Sequence, residues 1–140
     1  HFPEGKEQLA EAAVQYAAAQ ISTVLDEIMG AAADFPAGLR AFVTVIADWF
    51  ERSGFREGCP ITAVAIATVP QSPRLTVATA AAVDEWGQCL HRHAARLGAP
   101  LPADAVDRLL MLVEGGWLLA RLRQSRQPLL DAAEAFLALR

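Results

Sequence analysis

The side chains that could do chemistry in this chain are few: Cys59 and Cys89, His91 and His93, and the acidic pairs Asp84-Glu85 and Asp104/Asp107. Cys59 precedes Pro60 at an expected helix start, where the amide dipoles can lower a thiol pKa and create a redox sensor. The alternative is a small, inert N-cap residue, and no resolving cysteine is near it in sequence. Cys89 falls on a core face. His91 and His93 are two residues apart on an expected helix, so they point apart and make no metal pair. His91 lies on the side of Asp84 and Gln88 and is expected in solvent. His93 shares a face with Trp86 and Leu90, so it is either a hydrogen-bonded core imidazole or a polar contact for a ligand. Adjacent or first-turn carboxylates on helices are usually solvated or complement the dipole. No Ser-His-acid set, phosphate loop or dinucleotide pattern occurs. Neither catalysis, a metal nor a cofactor is expected.

The aromatic residues carry more information. Trp49, Phe50, Phe55, Trp86 and Trp117 offer large apolar area with few rotamers to freeze, which suits either a ligand pocket or ordinary core packing. The elements that must position them are helices, because Ala, Leu and Arg dominate and period 3.6 organises the apolar residues. Val14, Ala18, Ile21, Leu25 and Ile28 stripe a first helix running from near Gly5 to Gly30. After Asp34 and Pro36 an arc from Leu39 to Phe50 marks a largely buried second helix, which stops at Ser53-Gly54. A short third helix fits between Pro60 and Pro70. Ser72-Pro73 combines a hydroxyl cap with proline at the first helical position and opens a long fourth helix up to Gly98. From Pro102 to Ser125 the pattern is apolar on two faces, and Pro128 restarts the chain for a sixth, broadly apolar helix.

At 140 residues the chain has the length of one ordinary domain. Hydrophobic residues reach 54%, yet no apolar run approaches the roughly 20 residues of a membrane span. The net charge of −4 argues against a surface whose affinity comes from neutralising phosphates. Sparse cysteines suit a reducing cytosol better than a secreted scaffold and no signal-peptide pattern occurs, so a cytoplasmic location is expected.

The segment His1-Phe2-Pro3-Glu4-Gly5-Lys6-Glu7-Gln8-Leu9 resembles the junction where the recognition helix of a TetR-family regulator ends and the connecting helix begins. Gly58-Cys59-Pro60, Ser72-Pro73, Glu114-Gly115-Gly116 and Leu118-Leu119-Ala120-Arg121 are similar to the LmrA/YxaF-like branch of that family. The resemblance implies an all-α, six-helix regulatory domain over residues 6–140, with residues 1–5 the remnant of a headpiece junction and the helix-turn-helix missing. It implies a ligand-responsive repressor that forms a homodimer, its last two helices building a four-helix bundle with the partner. A small hydrophobic or aromatic effector is then expected between the first, second and fourth helices, against Phe42, Trp49, Phe50, Trp86, His93 and Trp117. Leu112, Gly115, Gly116, Leu119 and Phe136 are expected at the dimer interface, and Lys6 at a DNA phosphate. Operator DNA would be read only through the missing helix-turn-helix. Two rivals stay open: a helical interaction module with a filled core and no ligand, and a redox sensor acting through Cys59.

Overall fold

The computed structural model describes residues 5–139, and all regular structure among them is helical. The order is α1 (Lys6–Ala31), α2 (Phe35–Arg52), α3 (Pro60–Thr68), α4 (Pro73–Arg96), α5 (Ala105–Arg123) and α6 (Gln127–Leu139). Each expected helix is present, and the boundaries follow local chemistry. The Asp34 side chain accepts from the Ala37 amide at 2.8 Å to start α2, and Ser72 Oγ accepts from the Leu75 amide at 3.2 Å to start α4. Both satisfy amides that a helix leaves orphaned in its first turn. The end of α5 has no sequence marker. Gln124 takes the left-handed conformation there, at φ 49°, and its side-chain amide donates to the Arg121 carbonyl at 2.8 Å, a cap more often given to glycine.

The helices pair as α1 with α4, α5 with α6, and α2 with both α1 and α6, while α3 bridges α1 and α4. Long helices α1 and α4 are fastened along their length. Arg74 on α4 meets Glu11 on α1 at 3.1 Å, and the Trp86 indole N–H donates to the Ala18 carbonyl at 3.3 Å. The fully buried Phe35, Phe50, Phe136, Leu25, Met29, Leu39 and Leu129 come from α1, α2 and α6, so the most deeply buried side chains gather along α2, which packs on both α1 and α6. Gly116 lets α5 approach α6 closely: a Cβ at this position would sit 2.8 Å from the Pro128 carbonyl oxygen. Around the middle of α1, α2, α4 and α5 the packing is interrupted, and that gap is the candidate site.

Candidate functional site

The gap is a cavity of about 350 Å³ enclosed by α1, α2, α4, α5 and the turn leading into α3. Its size lies in the range of small-molecule sites, roughly 300–1,000 Å³. Leu25, Leu39 and Val43 form a buried floor. Glu57 and Pro60 are exposed, and Trp49 remains 42% exposed, so these three mark the mouth. The face of α5 turned inward carries Leu110, Val113, Glu114 and Trp117. Of this face only Trp117 was expected at the ligand, yet α5 supplies much of the wall.

One end of this apolar space is polar. The Glu114 carboxylate accepts hydrogen bonds from the Thr62 hydroxyl and the Cys59 thiol. Burial pushes the Glu114 pKa up, against the smaller opposing effect of those two donors. Nearby, the Trp117 indole nitrogen is buried and has no hydrogen-bond partner. The ring is held from behind by Phe50, edge-to-face at a centroid distance of 6.2 Å. Burial also pushes the Cys59 thiol pKa up, which lowers the thiolate fraction that redox chemistry requires.

Comparison with known proteins bears on what such a cavity is for. Residues 36–135 match the family described as transcriptional regulator LmrA/YxaF-like, C-terminal domain. The chain belongs to this branch of the TetR family. It is 30% identical to the HTH-type transcriptional regulator LmrA of Bacillus subtilis, the match covering 93% of the chain and 70% of that relative. It is 31% identical to the uncharacterized HTH-type transcriptional regulator Rv0196 of Mycobacterium tuberculosis over 92% of the chain and 68% of the relative. The uncharacterized regulator YxaF of Bacillus subtilis is 27% identical over 95% of the chain.

In this LmrA/YxaF-like domain the residues singled out from sequence divide clearly. Phe42, Trp49, Trp86 and Trp117 do line the cavity. Phe50 does not: it is fully buried behind the wall, where it packs on Phe55 and Trp117, and the Arg121 guanidinium lies over its ring at 5.6 Å. Phe50 therefore positions a lining residue rather than touching the cavity. His93 also stands outside. Its Nε2 lies 2.7 Å from Asp26 on α1, and Arg96 lies 3.2 Å from its Nδ1. A guanidinium only donates, so Nδ1 accepts, and Nε2 carries the proton that it donates to Asp26. This bond is the main cause that holds the Asp26 carboxyl below its ordinary range. The Cys89 thiol adds a long contact to the same carboxylate at 3.9 Å. Asp26, Cys89 and His93 thus bring three potential ligand atoms within 4.8 Å of one another, a grouping hidden from sequence because Asp26 comes from another helix.

The expected interface residues divide too. Gly116 and Phe136 are consumed inside the protomer, Gly116 against α6 and Phe136 at 2% exposure in the core. Leu112 is half-buried against that core. Gly115 and Leu119 face outward, beside Met111, Leu118 and Leu122, which are 67%, 57% and 69% exposed. Lys6 is the exposed first residue of α1, after Gly5 at φ 80°.

Proposed function

We propose that this domain is the effector-sensing part of a dimeric repressor, and that the cavity between α1, α2, α4 and α5 receives the effector. The observation that carries the reading is the cavity itself: about 350 Å³ of largely apolar, aromatic-walled space in a protein interior that would otherwise pack to crystal-like density. A helical interaction module has no use for such a void, which forfeits packing contacts along its lining. A redox sensor through Cys59 is disfavoured by the same burial that raises its thiol pKa. The action is by binding alone. An effector that prefers the DNA-incompetent arrangement shifts the spacing of the two helix-turn-helix units carried by the dimer, and derepression follows from that differential affinity.

The experiment is to fill the cavity. Leu110→Trp places added bulk against a half-buried lining position. In a protein carrying its helix-turn-helix, the variant should bind operator as well as the parent and no longer release it on addition of effector. Retained, parent-like release would show that the effector sits elsewhere.

A further inference from the structure

The geometry points to a specific ligand class: we infer that the cavity selects a lipophilic organic cation, an aromatic amine or ammonium compound whose charged nitrogen lies against the Glu114 carboxylate. The inference rests on the effector-cavity reading above and names the chemistry of the effector.

Three observations converge. First, the charged residues that line the cavity are both acidic, Glu114 in the wall and Glu57 exposed at the mouth, and none of the lining residues is Lys, Arg or His. Second, the donors that act on Glu114 are neutral, the Thr62 hydroxyl and the Cys59 thiol, and no ion pair to it is found among the described residues. The Arg121 guanidinium lies over the Phe50 ring with its Nη2 beside Gly58, and Arg121 is not part of the lining. Even a half-buried carboxylate without a counter-ion carries a desolvation cost, and a cation brought by the ligand supplies the missing partner. Third, the remaining wall is rich in aromatic rings: Phe42, Trp49, Trp86 and Trp117. Aromatic faces attract ammonium groups, and more strongly when the pair is desolvated. Trp117 adds an unpartnered N–H at the same end of the cavity, which an ether or carbonyl oxygen on the ligand would satisfy. An anion would meet two carboxylates and no base. A neutral hydroxylated compound could hydrogen-bond Glu114 but would leave its charge uncompensated.

Three probes that share one ring system isolate the charge: (1-naphthylmethyl)trimethylammonium, 1-naphthylmethanol and 1-naphthylacetate. Isothermal titration should rank the cation first by roughly tenfold or more over the alcohol, with the anion last. Glu114→Gln should lose about that tenfold for the cation and change the alcohol by less than about twofold, while Glu114→Asp, which keeps the charge, should retain the preference. Thermal melting of each variant shows that the fold is intact. An alcohol that binds the parent as tightly as the cation, or a Glu114→Gln variant that binds the cation as well as the parent, would overturn the cation assignment and leave the cavity reading standing. Tight alcohol binding that is lost in Trp117→Phe would point instead to a neutral, hydrogen-bonding effector. Binding of none of the three would count against both readings.

Discussion

Two tryptophans on the cavity wall meet different fates, and the difference locates function at the residue scale. Trp86 spends its N–H on the Ala18 carbonyl and so fastens α4 to α1, whereas the Trp117 N–H is left without a protein partner. Glu114 lies beside it with a pKa raised by burial from an ordinary 4.5. Because the fold holds the protonated form more firmly than the unfolded chain does, the stabilisation is full below the unfolded value. It is lost as pH rises through the folded one. Glu114→Gln should therefore melt higher than the parent at pH 8, by roughly 2–5 °C, with the gap closing toward pH 4. A scan showing the parent the more stable at pH 8 would remove the strain assigned to this carboxylate. Stability surrendered at one residue and regained on its removal is a common mark of a binding group. Asp26 behaves oppositely. Its carboxyl is held low chiefly by the His93 hydrogen bond, so its contribution is present above the unfolded carboxyl range and disappears as pH falls through the folded value. Glu114 was legible in principle. It interrupts the apolar stripe formed by Leu110, Val113 and Trp117, and a polar residue on a buried face is more informative than an apolar one. His93 misled because periodicity says which residues share a face, not how far a cavity extends along the axis. Seven residues beyond Trp86 is about 10 Å, and at that height α1 has closed over α4 with Asp26.

At the scale of elements, proline, glycine and hydroxyl signals marked all six helices, because each acts through local sterics or an orphaned amide that needs no tertiary information. What they could not tell is which faces of a doubly apolar helix meet the same chain. In α5, adjacent glycines have opposite surroundings: a Cβ on Gly115 meets nothing within 4 Å, while one on Gly116 meets the Pro128 carbonyl oxygen at 2.8 Å and the Ala132 Cβ at 3.2 Å. Gly116→Ala must push α6 outward, and the obstacle is backbone rather than a movable side-chain tip. We expect a loss of about 1–3 kcal/mol in urea unfolding, larger than the helix-propensity gain of about 1 kcal/mol that alanine brings. A neutral or stabilised Gly116→Ala would mean that α5 and α6 are less tightly apposed than this contact requires. The same tight pairing explains why Phe136 belongs to the protomer core. Once α6 is drawn onto α5 and α2, its apolar face is spent, and Asp131, Glu134 and Ala138 are turned to solvent. On that outer side Arg40 of α2 reaches Glu134 at 2.6 Å, both largely exposed, a pairing worth little to stability.

At the scale of the whole molecule, the question is what covers the stripe left over. Exposed apolar residues such as Ile66 and Val77 are scattered and ordinary. Met111, Gly115, Leu118 and Leu122 are different: their spacing of four, three and four residues aligns them on one outward face of α5, with Leu119 at its flank. None of the described residues of one protomer buries them. In the proposed dimer a second copy related by a two-fold axis would present the same stripe, and Gly115, with open space around it, would permit close helix approach. Dimerisation of this kind is also what a palindromic operator demands, since two recognition helices must reach successive major grooves. Replacing both Leu118 and Leu122 by Glu removes about 1.5–3 kcal/mol of apolar burial per side chain, doubled by the symmetry, and adds carboxylates to a desolvated seam. The dimer dissociation constant should then weaken by at least ~10³. Light scattering at micromolar concentration should show a dimer for the parent and a monomer for the variant, both with the same helical circular dichroism, because neither position contributes to the protomer core. In a protein that carries its helix-turn-helix, the monomeric variant should also lose operator binding at physiological salt. Lys6→Ala should instead weaken it evenly across sequences, as loss of a single phosphate contact does. A variant that stays dimeric would move the proposed interface away from α5.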